Sequence, residues 1–160
     1  MLFIKILIDG DSCNRIKTIE KMVRNKKIPV LIFCDWTRNI VSDYAEIHIV
    51  EKGKDSVDFS LLKYVEAGDI VVTQDTGLAS IVLAKKAYAI HNNGIQFTDE
   101  NINYFLNRRY IRMKVTRDSK RKQCKGLKIH SKQPTLSFGE AFHKLLSYVI
   151  KQNKNKEKEI

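Results

Sequence analysis

The sequence predicts an α/β protein of three layers, in which helices cover both faces of a mostly parallel central sheet of about five strands. The first observation is the opening stretch, residues 3–8, which is apolar except for Lys5 and lacks helical spacing. Such a run is typical of a strand that is covered on both faces, as in parallel sheets. The second observation is that short apolar runs alternate along the chain with segments of helical periodicity.

Each element of the first half follows from a local pattern. Residues 14–27 place apolar side chains at helical spacing and predict an amphipathic helix that packs on the sheet. Pro29 ends that helix, and apolar runs predict strands at 30–34 and 46–50. Residues 56–67 then predict a second helix, which Gly68 ends.

The second half continues the alternation as far as the basic region. Its predicted elements are a strand at 70–73, a helix at 76–84, a strand at 88–91, a turn at 92–94 and a helix that Thr98 caps and that ends at Asn107. Residues 137–140 have capping-box spacing before a last amphipathic helix. We therefore expect an α/β domain at 1–110, a basic connector at 111–136, a helix packing back on the domain at 137–150, and a disordered tail at 151–160.

Cysteine usage and hydropathy exclude several classes of protein. The three cysteines are far apart and lack C-x-x-C spacing, so neither a disulfide framework nor a zinc site is indicated. No apolar run approaches the roughly 20 residues that cross a bilayer, and the start lacks the pattern of a secretory signal. We expect a soluble, cytoplasmic protein with no membrane partner.

The positive charge is concentrated in one segment. The net charge is +11, and residues 108–132 contain eleven Lys or Arg against a single acid, Asp118. Residues 1–107 are close to neutral, with 13 basic and 14 acidic side chains. Such a segment either solvates a connector or binds phosphates, and we favour single-stranded RNA as its partner. The candidate RNA-binding residues are Arg108, Arg109, Arg112, Arg117, Lys120, Arg121 and Lys122.

Two carboxylates follow the first strand directly. Asp9 and Asp11 are two residues apart, so an extended chain would place both side chains on the same side. Two like charges that close need a proton or a cation, and carboxylate oxygens suit Mg²⁺ or Mn²⁺. The alternative is that Asp11 or Ser12 only caps the next helix.

Further acids reach the same edge of the sheet. Asp75 follows the fourth strand, so it ends on the side where Asp9 ends. Asp58 lies in the first turn of a helix, where the helix dipole alone favours a carboxylate, although it could also face the strand ends. Asp35 follows the second strand and either joins the acids or bonds to its own loop. Asp69 opens a strand at the opposite edge and is excluded.

Several short motifs occur together in this sequence. They are Asp9-Gly10-Asp11-Ser12-Cys13 for D-A-D-A-C, Asp55 and Asp58 for D-x-x-D, Glu66-Ala67-Gly68-Asp69, Thr73 to Ala79 for T-x-D-x-P-L-A, and Asn93-Gly94 followed by Glu100-Asn101-Ile102. In combination these motifs resemble the YaiI/YqxD family of uncharacterised bacterial proteins, with a PIN-like nuclease fold. The match covers nearly the whole chain to about Arg109 and resumes weakly at Phe142. Asn14 and Gly77 stand where that family usually has proline.

The resemblance implies a site and an activity. Asp9, Asp11, Asp58 and Asp75 would be catalytic, with Thr73 and Asp55 in support. Asp9, Asp11 and Asp75 would bind Mg²⁺ or Mn²⁺ for phosphodiester hydrolysis of RNA. One alternative is a binding or interaction module with a vestigial pocket. The other is a haloacid-dehalogenase-like phosphatase, since D-x-D after a strand also opens that family, although Ser12-Cys13 fit its pattern poorly.

Overall fold

The fold is a six-stranded sheet between two helical layers, in a computed structural model that describes residues 3–51, 53, 55–119 and 136–159. The strands are β1 Ile6–Asp9, β2 Val30–Asp35, β3 Glu46–Val50, β4 Ile70–Val72, β5 Tyr88–Ile90 and β6 Gln96–Phe97. The helices are α1 Ile16–Val23, α2 Ser56–Tyr64, α3 Thr76–Ala84, α4 Ile102–Ser119 and α5 Phe138–Lys158. A short 3-10 helix, Arg24–Lys26, follows α1.

The sheet has the order β3-β2-β1-β4-β5-β6. All neighbouring strands are parallel except β5 and β6, which are antiparallel. The predicted class, a mostly parallel sheet with helices on both faces, is confirmed. The prediction of about five strands missed β6, because a strand of two residues is too short to show any periodicity.

Alternate residues of the central strands face two separate cores. Ile6 and Ile8 of β1 belong to one cluster, which α1 and α5 cover. Leu7, between them, belongs to the other cluster, which α2, α3 and the start of α4 cover. The period of two therefore explains why the central strands read as continuous apolar runs: each side chain is buried, whichever face it is on.

The last two helices, α4 and α5, are longer than the sequence predicts. The helix expected to end at Asn107 continues to Ser119, so residues 111–119 of the expected connector are helical; residues 120–135 lie outside the described residues. The helix expected to end at 150 continues to Lys158, where the sequence predicts a disordered tail. Both extensions lack glycine and proline and are rich in Lys and Arg or Gln, which favour helix without any apolar periodicity. Among the described residues, none of the helices could span a bilayer.

Candidate functional site

The buried centre of the site is Asp9, the last residue of β1. Its side chain is 6% exposed, and its Oδ2 accepts hydrogen bonds from the hydroxyls of Thr73 (3.0 Å) and Ser12 (3.1 Å). Burial raises the pKa of Asp9, and the two hydroxyls act in the opposite direction by stabilising the carboxylate. Asp9 is thus a buried acid at a strand end, and its two hydroxyl partners favour its charged form.

Thr73 connects this acid to the next one. Its hydroxyl donates to Asp9 and accepts a hydrogen bond from the backbone N–H of Asp75 at 3.0 Å. Thr73 follows β4, the direct neighbour of β1, and it is fully buried. One hydroxyl therefore fixes the spacing between the ends of two adjacent strands.

Asp75 is the N-cap of α3. Its Oδ1 accepts from the backbone N–H groups of Gly77 (2.8 Å) and Leu78 (3.1 Å), as a capping aspartate does. The same oxygen lies 3.3 Å from Nη1 of Arg109 on α4. Asp75 is therefore held by a helix N-terminus and by a guanidinium group, both of which favour a negative charge.

Asp58 reaches this pair from the first turn of α2. Burial, followed by the nearby carboxylates of Asp75 and Asp9, raises the pKa of Asp58 to about 7. A proton between two carboxyl groups offsets repulsion that a cation would otherwise offset. The structure therefore brings Asp9, Asp58 and Asp75 together electrostatically.

Asp11 and Asp35 have partners outside this group, although the charge of Asp11 also contributes to the raised pKa of Asp9. Oδ1 of Asp11 accepts from the backbone N–H of Asp35 at 3.4 Å and lies 3.5 Å from Nε of Arg38. Asp35 accepts from the backbone N–H of Thr37 at 2.8 Å and from the Thr37 hydroxyl, as in the loop interpretation of its sequence. Within the described part of the chain, no three acidic, histidine or cysteine side chains form a ready metal cluster.

The remaining acids take separate positions. Asp55 is the residue before α2, with a left-handed φ of +63°, and its side chain makes no capping hydrogen bond. It lines a cavity with Asp58, which suits a supporting position. Asp69 lies at the opposite edge, 1% exposed, and pairs with Nζ of Lys5 at 2.6 Å. Its exclusion from the site follows from that position.

A cationic helix face closes the site. Arg108, Arg109 and Arg112 of α4 line a cavity of about 620 Å³ together with Asp9 and Asp75. Arg117 follows on the same helix, whereas Lys120, Arg121 and Lys122 lie outside the described residues. The α3 and α4 helices pack side by side, which places Arg108, Arg109 and Arg112 near Asp9 and Asp75 at the strand ends.

A second cavity, of about 440 Å³, lies between α2 and α3. Asp75 and Arg109 line both cavities, so the two adjoin at this ion pair. The first cavity is rich in arginine, whereas the second contains Asp55, Asp58 and apolar side chains.

Three polar residues of this edge were missed by the sequence analysis. Ser12 bonds Asp9, and the buried Asn92 donates from Nδ2 to the carbonyl of Ser12 and so holds that turn. His91 lines the arginine-rich cavity, and its Nδ1 accepts from the backbone N–H of Asn93 at 3.1 Å. Residues 91 and 92 directly follow β5, so the rule that ligands sit beyond strand ends would have found them had it been applied beyond acids.

Comparison with known proteins places the chain in a family. The family model described as "Uncharacterized BCR, YaiI/YqxD family" matches residues 7–148. The chain belongs to the YaiI/YqxD family. The resemblance drawn from its motifs is thereby confirmed.

Relatives in this family match over most of their length. A UPF0178 protein of Clostridium acetobutylicum is 37% identical over 142 residues, which cover 89% of this chain and 96% of the relative. A UPF0178 protein of Natranaerobius thermophilus is 36% identical over 153 residues, covering 94% and 99%. A third, from Lachnoclostridium phytofermentans, is 42% identical over 116 residues, covering 72% and 78%. No solved structure matches the chain.

Gly77 is a departure from the family motif T-x-D-x-P-L-A that the structure explains. Its N–H donates to Asp75, and a proline at this position would have no N–H to donate. A β-carbon at Gly77 would lie 3.0 Å from Nη1 of Arg109 and 3.1 Å from Oδ1 of Asp75. Glycine therefore gives Asp75 one more capping bond and leaves room for Arg109 beside it.

Proposed function

We propose that this YaiI/YqxD protein is a metal-dependent nuclease that cleaves single-stranded RNA at the edge formed by Asp9, Asp58 and Asp75. The observation that carries the proposal is the pairing of these coupled acids with Arg108, Arg109 and Arg112 around adjoining cavities. An acidic site repels a polyanion unless cations offset its charge. The arginines would therefore bind the RNA backbone while the acids hold the metal ion, and cleavage would need both groups.

The donor set fits a hard divalent cation. Asp9, Asp58 and Asp75 offer carboxylate oxygens, which Mg²⁺ and Mn²⁺ prefer, and the pKa of Asp58 is raised by burial first and then by the carboxylates of Asp75 and Asp9. We assign the metal to these three rather than to Asp9, Asp11 and Asp75, because Asp75 and Asp9 both act electrostatically on the carboxyl of Asp58. Bound there, the cation would act as a Lewis acid toward a phosphodiester and its attacking water.

The protein's own groups perform the binding and positioning. Arg108, Arg109 and Arg112 bind backbone phosphates in the larger cavity, and Arg109 also pairs with Asp75. Thr73 keeps the carboxylate of Asp9 turned toward Asp75 and stabilises its charged form.

A second candidate is a nucleic-acid-binding module without catalysis. Two observations favour it: Asp75 is already engaged as a helix cap and with Arg109, and the described residues contain no ready cluster of three metal ligands. In that case the acids only cap and position, and Arg108, Arg109 and Arg112 alone define the function. RNA cleavage distinguishes the two candidates, because only the nuclease would cleave the RNA that it binds.

The test is cleavage of a labelled single-stranded RNA with Mn²⁺. We expect the wild-type protein to cleave it, and we expect Asp9→Asn and Asp75→Asn to lose at least about a hundredfold in rate while still binding RNA. The matched control is Asp99→Asn, the same change at an exposed position before α4.

Two outcomes would contradict the nuclease proposal. Activity that persists in both Asp9→Asn and Asp75→Asn would come from a contaminant. RNA binding without cleavage, across RNAs of different sequence and with either Mg²⁺ or Mn²⁺, would support the binding module.

A further inference from the structure

We infer that the cavity between α2 and α3 is a nucleobase-binding groove, in which the ring of Phe59 stacks on a base of the single strand. The inference rests on the proposed single-stranded nucleic-acid substrate and adds the residue that would contact its base. It does not depend on catalysis.

The first step is the placement of Phe59. Its side chain is 66% exposed, and it lines the same cavity as Asp58 and Asp75. Phe3 is exposed to a similar extent, 70%, but precedes β1 at the opposite edge of the sheet. An exposed aromatic ring is ordinary by itself, so what singles out Phe59 is its position beside the acidic site.

The second step is the pattern of α2. Val57 and Leu61 point into the core beneath the sheet face. The groove takes a different stripe, at positions i, i+3, i+4 and i+7 of one helical face: Asp55, Asp58, Phe59 and Leu62. Leu62 of this stripe also packs against the core, so Phe59 is the exposed apolar side chain that α2 presents to the groove.

The third step is the opposite wall. Ile81 of α3 is 47% exposed and lines the groove, with the buried Leu78 beside it. The resulting slot has apolar side chains on both walls, beside the polar groups of Asp55, Asp58 and Ser80, and is about 440 Å³ in volume, which is ample for one base. Apolar walls with a few polar groups at one end are typical of sites for flat organic ligands.

The fourth step is continuity with the arginine-rich cavity. Arg109 and Asp75 line both cavities, so a strand whose phosphates contact Arg108 and Arg112 passes directly beside the groove. A cationic track with an adjacent aromatic ring is the usual arrangement in proteins that bind single strands with little sequence preference. A duplex would not place a base there, because its bases are stacked and paired.

The test is equilibrium binding of a short single-stranded RNA by fluorescence anisotropy in EDTA, where metal-dependent cleavage is absent. A second oligonucleotide of equal length and charge carries abasic sites throughout. We expect Phe59→Ala to weaken binding of the RNA by roughly 5- to 150-fold, the range for loss of one aromatic–base stack, and to leave the abasic strand unchanged. Phe59→Trp should retain the affinity, whereas Phe59→Leu, apolar but without a ring, should lose it.

The matched control is Phe3→Ala, the same substitution at similar exposure, which should change neither affinity. The inference is overturned if Phe59→Ala binds RNA as the wild type does, if it weakens both oligonucleotides equally, if Phe59→Leu retains full affinity, or if the wild type binds no RNA. Loss at Phe59→Ala with no cleavage by the wild type would uphold the groove and refute the nuclease. If the wild type cleaves RNA, and Phe59→Ala changes neither RNA binding nor cleavage, the result would refute the groove and support the nuclease.

Discussion

Asp58→Asn should stabilise the metal-free protein at pH 8. The pKa of Asp58 is raised from 3.8 to about 7, so ionising this carboxyl costs more in the folded state than in the unfolded state. Stability from the protonated group is fully present below pH 3.8 and is lost as the pH rises through about 7. Asparagine keeps the shape and a hydrogen-bond donor toward Asp75 without the charge.

The size of the effect follows from the shift. A shift of that size, at about 1.4 kcal/mol per pKa unit, corresponds to an upper limit of roughly 4 kcal/mol. Because Asp58 is only partly buried, solvent screening reduces this to about 1–2 kcal/mol. The difference between Asp58→Asn and the wild type should therefore approach zero near pH 4 and reach this value at pH 8.

The measurement is urea unfolding of both proteins in EDTA at pH 4, 6 and 8. Asp99→Asn is the control, because this aspartate is exposed. Equal unfolding midpoints of Asp58→Asn and the wild type at all three pH values would show that Asp58 does not experience the neighbouring carboxylates and would refute the electrostatic coupling of the site.

Two other predictions concern the groups around the acids. Thr73→Val keeps the volume but removes the hydroxyl between Asp9 and Asp75, so it should cost about 2–3 kcal/mol in the free energy of unfolding, measured in urea at pH 7. Replacing three cavity arginines by Ser should flatten the plot of log RNA affinity against log salt by about 2, at roughly 0.7 per lost phosphate contact. An unchanged slope would exclude α4 as the RNA-binding face. The arginines are Arg108, Arg109 and Arg112, and the matched control replaces the exposed lysines Lys144, Lys151 and Lys154 of α5.

The positions of two acids could be predicted from the sequence, because both acids lie at the carboxyl ends of strands. Asp9 and Asp75 follow adjacent parallel strands, so their approach needs only the rule that such strands end at one edge. For Asp11 the sequence argument extended the period of two past the end of the strand, where the backbone is no longer extended. The chain turns instead: the N–H groups of Ser12 and Cys13 both bond the carbonyl of Asp9.

The cationic wall was harder to predict because it depends on long-range packing. The charge of residues 108–132 motivated the prediction of a polyanion partner but could not show where the arginines lie. Their position follows from α4, which continues to Ser119 and packs beside α3. Arg109 reaches Asp75 across 34 residues of sequence, a contact that no local pattern encodes.

The central claim is that Asp9, Asp58 and Asp75 hold a divalent cation, and calorimetric titration of Mn²⁺ tests it most directly. We expect wild-type protein to bind Mn²⁺ more tightly at pH 8 than at pH 6, because binding must displace the proton of Asp58. Asp58→Asn should lose at least about tenfold in affinity, whereas Asp11→Asn, whose carboxylate pairs with Arg38, should bind as the wild type does. Absence of binding, or loss in Asp11→Asn with full binding in Asp58→Asn, would contradict the account.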